Sequence, residues 1–394
     1  MRTAASHRES LEKKFNYRMP AEWEPHAATW LAWPHNKTTW PGRLLKEVET
    51  AYLLMIRALL PGEKVNLLVN DEKTGRRILR LLESRKVRTS NLILHQVKTV
   101  DAWIRDWGPI FVKKQKRINR VQKTENRIQK SEKEICPLSS VLCPLNTDKA
   151  FIKWQFNAWG GKYKDLARDN AVVDRIRALG AYPRFDAPIV MEGGSVDVNG
   201  RGVCLTTEQC LLNPNRNPEL SRRDIEKVLE KYLGVKKVIW LENGIEGDDT
   251  DGHVDDITRF VGPDTVLTAV EPDVSDKNHA ILKRNLEILK GERGLDKKPL
   301  RIVEIPMPGR VETSQGARPD TEAPSGLARL PASYANFYIG NHAVLAPIYS
   351  HHNDAAALRI LRKAFPGRKV AGIECTALVY GLGSIHCVTQ QEPR

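Results

Sequence analysis

Short apolar runs alternate with longer amphipathic segments along most of the chain. The runs have the length of strands, and the segments after them repeat apolar residues with the spacing of a helix face. A strand followed by a helix recurs about five times, which predicts an α/β architecture. Periodicity leaves open whether the strands form one doubly wound layer, a closed barrel or separate small sheets. The predicted pairs are 28–32 with 44–60, 65–69 with 72–84, 202–206 with 221–233, 265–269 with 276–289, and 343–346 with 354–365.

Two stretches lack this alternation and are predicted to be surface insertions. Residues 113–150 contain ten Lys or Arg against four Asp or Glu, and thus carry +6 of the net charge of +14. Residues 309–330 are rich in turn formers and lack apolar periodicity. A basic nucleic-acid-binding arm is the alternative for 113–150, because clustered Lys and Arg neutralise phosphates. The rest of the chain is only mildly basic, so no nucleic-acid partner is expected.

Length and composition predict a globular protein. The 394 residues, of which 41% are apolar, suffice for one large domain or two modest ones. No apolar run approaches the roughly eighteen residues of a membrane span, and residues 1–20 lack the apolar core of a secretory signal, so no membrane partner is expected. Six cysteines without zinc-type spacing predict reduced thiols and a cytoplasmic location.

Four polar clusters interrupt apolar or glycine-rich sequence, as expected of functional groups held on loops by a rigid scaffold. Each cluster alone has a structural alternative. Asp106 could form an ion pair or cap a turn, and Glu192 could be a loop charge. His253 could be a core histidine, and Cys387 a buried inert thiol. The clusters are 103–109 (Trp-Ile-Arg-Asp-Trp-Gly-Pro), 191–195 (Met-Glu-Gly-Gly-Ser), 252–256 (Gly-His-Val-Asp-Asp) and 381–388 (Gly-Leu-Gly-Ser-Ile-His-Cys-Val).

Taken together, the clusters combine a thiol, a histidine and three carboxylates. A thiolate at Cys387 and an acid/base group at His253 suit attack on an electrophilic carbon. Carboxylates are costly to bury beside a thiolate unless a cation enters with the substrate. A guanidinium is such a cation, since it is planar, permanently charged and able to bind carboxylates in a bidentate manner. The set therefore predicts a small-molecule guanidinium substrate.

Motifs for cofactors and metals are incomplete. Residues 160–162 (Gly-Gly-Lys) end like a phosphate-binding loop, but Tyr163 stands where Ser or Thr would reach magnesium. Residues 249–252 (Asp-Thr-Asp-Gly) resemble part of a calcium loop, but Thr258 occupies the position that needs a bidentate Glu. No metal and no organic cofactor are expected.

The four clusters, in this order, resemble the agmatine deiminase and bacterial-type peptidylarginine deiminase family of guanidine-modifying enzymes. The resemblance covers nearly the whole chain apart from the N-terminal residues and the two insertions. It implies the pentein fold, a five-bladed pseudo-symmetric α/β propeller around a central active site, built by a single catalytic domain over 1–394. The resemblance also rests on 30–35 (Trp-Leu-Ala-Trp-Pro-His), 213–218 (Asn-Pro-Asn-Arg-Asn-Pro) and 330–338 (Leu-Pro-Ala-Ser-Tyr-Ala-Asn-Phe-Tyr).

The resemblance also implies roles for individual residues. Cys387 matches the nucleophile, and His253 matches its acid/base partner. Glu192 matches the residue that contacts the guanidinium and assists His253. Asp106 and Asp255 match the carboxylates that hold guanidinium nitrogens. The implied reaction forms a covalent thiouronium on Cys387, which water then hydrolyses to a urea without a metal or cofactor.

Agmatine is the first expected substrate, giving N-carbamoylputrescine and ammonia. Trp103 is a candidate wall for its aliphatic or ammonium end. Peptidyl-arginine or free arginine is the alternative within the same class, and free arginine would need a cation for its carboxylate, for which Arg105, Arg216 and Arg259 are candidates. A non-enzymatic RNA- or ribosome-binding pentein is the alternative from another class. The sequence leaves open whether the protein forms a homo-oligomer.

The chain departs from the family in the turn before the cysteine. The family usually has Gly-Gly-Asn-Ile-His-Cys there, whereas this chain has Leu382 and Ser384. Leu382 stands where a tight turn calls for a positive φ, which glycine adopts at little cost. The conformation of this turn is therefore a question for the structure.

Overall fold

The structure, a computed structural model, describes residues 16–115, 148–313 and 328–394. Most of the two predicted insertions, 116–147 and 314–327, lies outside the described residues. Among the helices of the described residues, none is both long enough and apolar enough to cross a membrane.

Strands and helices alternate along the described chain, with short helical turns between them. The strands are β1 (Tyr17–Arg18), β2 (His26–Ala32), β3 (Lys64–Val69), β4 (Leu92–Gln96), β5 (Ile110–Lys114), β6 (Lys149–Gln155), β7 (Arg184–Val190), β8 (Asp197–Val198), β9 (Val203–Thr207), β10 (Lys237–Leu241), β11 (Thr258–Gly262), β12 (Thr265–Val270), β13 (Arg301–Pro306), β14 (Glu312–Thr313), β15 (Ala328–Arg329), β16 (Tyr338–Ile339), β17 (Ala343–Ile348), β18 (Lys369–Glu374) and β19 (Thr389–Pro393). The α-helices are α1 (Leu44–Leu59), α2 (Glu72–Ser84), α3 (Ile104–Trp107), α4 (Ala158–Gly161), α5 (Glu208–Leu211), α6 (Arg222–Leu233), α7 (Lys277–Gly291), α8 (Asp354–Ala364) and α9 (Thr376–Val379). Short 3-10 turns span Leu166–Ala171, Val173–Arg175, Arg177–Ala181, Gly193–Ser195, Val254–Asp256 and His386–Val388.

The strands form several small sheets, which answers the question that periodicity left open. Five sheets of three or four strands each combine a parallel pair with an antiparallel neighbour. The prediction of an α/β architecture is confirmed. Within the described residues, the strand orders are β1-β5-β6-β7, β10-β9-β8, β11-β12-β13, β16-β17-β18, β19-β2-β3-β4 and the short pair β14-β15.

All five predicted strand and helix pairs are present, and their ends differ from the predictions by at most two residues. Local signals explain this agreement. The Ser221 side chain accepts a hydrogen bond from the backbone N–H of Asp224, whose carboxylate accepts one from the backbone N–H of Ser221, so a capping box begins α6. Gly234, with φ of 69°, ends the same helix in the left-handed conformation. Asp71 caps α2 by accepting from the backbone N–H of Thr74.

The described ends of both predicted insertions are paired strands. β5 pairs antiparallel with β6 on either side of 116–147. β14 pairs antiparallel with β15 on either side of 314–327. Each of the two predicted insertions is therefore flanked by the two strands of one antiparallel pair.

Buried apolar side chains form two clusters. The larger contains α1, β2 and β3 together with apolar residues around Cys387. The smaller contains residues of β6, β7 and β9 and the inner face of α6, where Ile225, Leu229 and Leu233 recur every four residues. Burial of these faces holds the small sheets together, because apolar surface removed from water contributes about 25 cal/mol per Å².

The last strand closes the sheet that begins near the N-terminal end of the described chain. β19 pairs antiparallel with β2, with Thr389 opposite Leu31. The turn His386–Val388 directly precedes β19, so the pairing of the two chain ends determines where Cys387 lies.

The four polar clusters share one structural setting. Each lies in or directly before a single helical turn that leads into a strand. Asp106 lies in α3 before β5, and Glu192 precedes the turn before β8. Asp255 lies in the turn before β11, and Cys387 in the turn before β19.

Two glycines allow these turns to approach one another. A Cβ atom at Gly193 would overlap the backbone carbonyl oxygen of Arg105, in the turn that carries Asp106. A Cβ atom at Gly194 would lie 2.6 Å from Nδ1 of His253. At Gly193 only glycine permits this packing, because the backbone oxygen of Arg105 cannot move aside as a flexible side chain can.

We expect Gly193→Ala to lower the free energy of unfolding by about 3 kcal/mol, as overpacking against a backbone oxygen does. Gly180→Ala is the matched control, because a Cβ atom there meets nothing within 4 Å. Thermal and urea unfolding would measure both variants. Equal stability of Gly193→Ala and Gly180→Ala would contradict the close packing of the two turns.

Candidate active site

Cys387 is buried in the short turn before β19, with 5% of its surface exposed. Nδ2 of Asn336 donates a hydrogen bond to its Sγ at 3.3 Å. An oxygen of Asp255 lies 3.9 Å from the same sulfur. The thiol therefore lies beside a carboxylate and an amide, in polar surroundings.

Asn336 connects Cys387 to its neighbours. Its Nδ2 also donates to a carboxylate oxygen of Asp256 at 2.9 Å. Its Oδ1 accepts from the backbone N–H of His386 at 2.8 Å. One amide side chain thus holds the turn of the cysteine against the turn that carries Asp255 and Asp256.

The turn before Cys387 has a positive φ at Leu382, the position where glycine would be expected. Leu382 has φ of 72°, in the left-handed region that a non-glycine residue enters at a cost of roughly 1 kcal/mol. Gly381 and Gly383 press against the indole of Trp103, where a Cβ atom would lie 2.9 Å and 2.5 Å from ring atoms. Ser384 is buried and accepts a hydrogen bond from the hydroxyl of Tyr349 at 3.2 Å. The two departures are thus accommodated in the turn.

His253 is fully buried, and neither ring nitrogen has a hydrogen-bond partner within the described residues. Its Nδ1 lies 3.8 Å from an oxygen of Asp106. Burial lowers the pKa of His253 to about 3, so the ring is neutral near pH 7 in the free protein. A buried neutral imidazole with two unpartnered nitrogens is able to accept a proton.

Glu192 lies behind this histidine, also fully buried. Its Oε1 accepts from Nε of Arg216 at 2.8 Å, whereas Oε2 has no partner within the described residues. Burial raises the pKa of Glu192 in spite of the guanidinium of Arg216. The Arg216 ion pair orients the carboxyl group and leaves one oxygen available.

Asp106 points into the same space from α3. Nε1 of Trp159 donates to one of its oxygens at 2.9 Å, and the backbone N–H of Gly194 donates to the other at 3.0 Å. Burial, followed by the negative charges of Asp255 and Glu192, raises the pKa of Asp106 well above its ordinary value. This carboxyl group therefore favours the ionised form only when a cation lies nearby.

Asp255 differs from the other carboxylates. One of its oxygens lies 2.6 Å from Nδ1 of His386, and the other has no partner within the described residues. Burial tends to raise the pKa of Asp255, but the hydrogen bond and charge of His386 bring it below the ordinary value. Asp255 is therefore the carboxylate that stays ionised.

The thiol of Cys387 responds to this arrangement. Burial raises the pKa of Cys387 well above its ordinary value, and the charges of Asp255, Asp256 and Asp106 add to the effect. In the free protein the group is therefore a thiol near pH 7. A bound cation would favour the thiolate, because an opposite charge stabilises the ionised form.

A pocket leads from the surface to Cys387 and Asp106. Its walls are largely aromatic or apolar. They include the carboxylate of Asp249, which accepts a hydrogen bond from the hydroxyl of Tyr163 and lies 3.6 Å from Nζ of Lys162. None of the described residues that line it is a lysine or an arginine. The other lining residues are Trp103, Trp159, Tyr163, Thr250, Gly381, Leu382 and Gly383.

The sequence profile of the Porphyromonas-type peptidyl-arginine deiminase family matches residues 18–393. The chain belongs to this family. This confirms the resemblance inferred from the four polar clusters.

Relatives of the chain are similar over nearly their whole length. A protein of Legionella pneumophila strain Philadelphia 1, named provisionally as an agmatine deiminase, is 33% identical over 385 residues, or 97% of this chain and 96% of the relative. The agmatine deiminase of Enterococcus faecalis has a TM-score of 0.78 at 29% identity, with 96% of both chains covered. A substrate-bound agmatine deiminase of Campylobacter jejuni has a TM-score of 0.75 at 28% identity, with 96% of both chains covered.

For this member of the deiminase family, the structure places the predicted residues around one pocket. Cys387, Asp106 and Trp103 line it directly. His253 is close to Asp106, and Asp255 is close to Cys387. Among the described residues, one oxygen of Glu192 and both ring nitrogens of His253 have no hydrogen-bond partner.

The three arginines considered as carboxylate partners are engaged elsewhere. Arg105 donates to Gln390 and Gln391, and Arg216 pairs with Glu192. Arg259 pairs with Asp197 and Glu22. These arginines do not line the pocket.

Three residues that contact the site residues were not predicted from the sequence. Asn336 lies within the matched segment 330–338, but an amide among aromatics gave no chemical signal. His386 adjoins Cys387 in the chain, and only the structure reveals what its ring contacts. Trp159, which donates to Asp106, lies in a stretch without any recognised motif.

One group of side chains has the composition of a metal site. Glu192, Cys210 and His253 each offer one ligand atom, and these atoms lie within 4.8 Å of one another. Burial raises the pKa of Cys210 well above its ordinary value, which disfavours the thiolate that a metal would need. The positively charged Arg216 beside Glu192 also opposes a cation there. Cys210 is therefore better explained as apolar packing behind His253 and Glu192.

The raised pKa of Cys387 makes alkylation of the free protein strongly dependent on pH. We expect the rate with iodoacetamide to rise about tenfold per pH unit between about pH 7 and 9, without a plateau, because only the thiolate reacts. Mass spectrometry of the Cys387 peptide would follow the rate. The peptide of Cys204, which is also buried, serves as the internal control. A plateau near neutral pH would contradict a protonated thiol.

Proposed function

We propose that this protein hydrolyses the guanidinium group of agmatine to N-carbamoylputrescine and ammonia. The observation that carries the proposal is a thiol, Cys387, that lies beside Asp255 and lines a largely apolar pocket together with Asp106. Membership of the deiminase family and the names of its relatives support it.

Binding of the guanidinium changes the charge of the site. The raised pKa of Asp106 and the low pKa of Asp255 mean that the free site holds fewer negative charges than carboxyl groups. A guanidinium between them favours ionisation of Asp106 and offers donors in the fork geometry that carboxylates accept. The same positive charge favours the thiolate of Cys387. Substrate binding thus completes the electrostatics of the site.

In the first half of the reaction, the thiol of Cys387 gives its proton to neutral His253, and sulfur attacks the guanidinium carbon. The C–N bond to an amino group then breaks, and His253 returns the proton to the departing nitrogen, which leaves as ammonia. A positively charged thiouronium remains on Cys387. Glu192 stabilises the protonated state of His253 through its unpartnered oxygen, as nearby carboxylates do for imidazolium.

In the second half, His253 accepts a proton from water as its oxygen attacks the thiouronium carbon. The C–S bond breaks, and the product leaves as a neutral urea. The charge of the thiouronium leaves as one proton, so that Cys387 and His253 return to thiol and neutral imidazole. This chemistry needs only water and the side chains of the site.

The pocket favours agmatine over free arginine. Agmatine ends in an ammonium, which the carboxylate of Asp249 attracts in competition with Lys162, whose Nζ lies 3.6 Å away. The aliphatic chain of agmatine suits the walls formed by Trp103 and Trp159. Free arginine also carries a carboxylate, but Arg105, Arg216 and Arg259 are held by other groups.

We further propose that the five larger sheets are the blades of a five-bladed propeller within a single catalytic domain. Their repeated combination of parallel and antiparallel pairs supports this arrangement, as do the four site turns that each lead into a strand. A cytoplasmic location remains a prediction from the sequence, which leaves open whether the protein forms a homo-oligomer.

The direct test is ammonia release from agmatine, arginine and a blocked arginyl peptide by purified protein without added metal. We expect agmatine to be the preferred substrate. Activity on an arginyl substrate alone would overturn the assignment to agmatine, and no activity on any of the three would overturn the proposed reaction.

Replacement of the nucleophile should remove the activity. We expect Cys387→Ala to lower agmatine turnover to less than about a thousandth of that of the original protein, without loss of fold. The matched control is Cys204→Ala, which removes a buried thiol outside the pocket and should retain turnover. Circular dichroism would verify the fold of both variants. Substantial turnover by Cys387→Ala would assign the nucleophile elsewhere.

Asp249 should set the preference for the ammonium end. We expect Asp249→Asn to raise KM for agmatine about fivefold, as loss of a partly exposed ion pair of ~1 kcal/mol predicts, without a comparable change for butylguanidine. Butylguanidine has the same reactive group and chain length but no ammonium. Asp165→Asn changes a nearby exposed carboxylate and serves as the control. Equal effects on the two substrates would contradict recognition of the ammonium.

A further inference from the structure

A second buried histidine lies directly behind the site, outside the reaction steps above. The ring of His386 lies between two carboxylates: Nδ1 is 2.6 Å from an oxygen of Asp255, and Nε2 is 2.8 Å from an oxygen of Glu22. All three side chains are buried. Glu22 lies in the turn between β1 and β2, far from His386 in the sequence.

The hydrogen-bond geometry determines the protonation of this ring. Burial opposes the charge of Glu22, but Arg259, His386 and Arg105 lower its pKa well below the ordinary value. The pKa of Asp255 is also lowered. A ring between two carboxylate oxygens, at 2.6 Å and 2.8 Å, is stabilised by a proton on each nitrogen, because each N–H then donates to an oxygen that can only accept when ionised. A ring that donates from both nitrogens is an imidazolium.

The backbone of His386 is held as firmly as its ring. Its N–H donates to Oδ1 of Asn336 at 2.8 Å, and its carbonyl oxygen accepts from Nε of Arg105 at 3.2 Å. Glu22 is held in turn by the backbone N–H of Ile339, which donates to its other oxygen at 2.8 Å. The ring of His386 is thus held both through its own backbone and through Glu22, which lies far away in the sequence.

The other charged groups nearby do not replace His386 as the cation that contacts Asp255. On the Glu22 side, Nη2 of Arg259 lies 3.0 Å and Nη2 of Arg105 3.4 Å from the oxygen that faces His386. Arg259 is also paired with Asp197. The groups that act on Asp255 or adjoin it are His253, Arg105, Arg259, Cys387, Asp106, Asp248 and Asp256. Three of these are carboxylic acids, and both arginines contact Glu22, so His386 is the cation in direct contact with Asp255 among the described residues.

We propose that His386, kept as an imidazolium by Glu22, is a positioning residue that keeps Asp255 ionised and fixes its carboxylate beside Cys387, where the substrate guanidinium binds. The oxygen of Asp255 that contacts His386 also lies 3.9 Å from Sγ of Cys387, and the other oxygen has no partner among the described residues. An ionised carboxylate at this position attracts a guanidinium. Without the imidazolium, burial among several acids would favour the protonated form of Asp255. This inference rests on the proposed function.

His386→Gln and Glu22→Gln test the inference through the pH profile of kcat/KM for agmatine. The folded-state pKa of Asp255 is now depressed, so removal of the cation raises it, and Asp255 becomes protonated at higher pH. We expect the acid limb of the profile to move up by at least about one pH unit, with roughly tenfold lower kcat/KM on that limb and recovery at higher pH. KM should change more than kcat, because the bound guanidinium itself favours ionised Asp255.

The matched control is His26→Gln. His26 is a buried histidine that also faces a carboxylate, with its Nδ1 3.2 Å from Glu63, but it lies outside the pocket. We expect this variant to leave the acid limb unchanged even where its stability falls. A loss of activity in His386→Gln and Glu22→Gln that is equal at every pH, or an unchanged acid limb, would overturn the inference.

A second measurement is independent of turnover. Nitrogen NMR of histidine-labelled protein without substrate should show one ring with both nitrogens protonated near neutral pH, and His386→Gln would assign that signal among the ten histidines of the chain. A neutral His386 ring would overturn the inference even in an active enzyme. A charged ring in a protein inactive toward guanidines would instead overturn the proposed function.

Discussion

Burial of several acids beside one thiol is the constraint on which the site depends. Asp106, Asp255, Asp256 and Glu192 lie close to Cys387 and His253, away from water. Full ionisation of this group would be very costly, so the free protein reduces the charge by protonation and by pairing with fixed cations. The negative charge that remains is neutralised by the guanidinium of the substrate. Affinity for the substrate and activation of the thiol thus have the same electrostatic origin.

The fixed cations divide the carboxylates by role. Arg216 pairs with one oxygen of Glu192, and His386 pairs with one oxygen of Asp255. In each case a cation orients the acid, and the second oxygen stays available. Asp106 is instead held by uncharged donors, and its raised pKa makes its ionisation responsive to the substrate. Similar side chains therefore have different protonation behaviour because their partners differ.

Much of the fold could be predicted because its signals are local. Helix periodicity, the capping box at Ser221 and the glycine at 234 depend on residues within a few positions of one another, and the corresponding pairs of strands and helices were placed within two residues. The division into small sheets could not be predicted from the pattern of apolar residues, because strand pairing joins distant segments such as β2 and β19. Very short strands such as β8 and β16 also carry too few residues for a pattern.

The sequence by itself determined the α/β class, the family and the reactive residue types, since Cys387, His253 and the acids stand in recognisable clusters. The tertiary structure decided which partner each acid has, and therefore which acids are ionised. Glu22 reaches His386 only through the folded chain, and Asn336 reaches Cys387 in the same way. The reason is physical: residue type sets the chemistry that is available, whereas protonation and orientation depend on distances and burial that only packing creates.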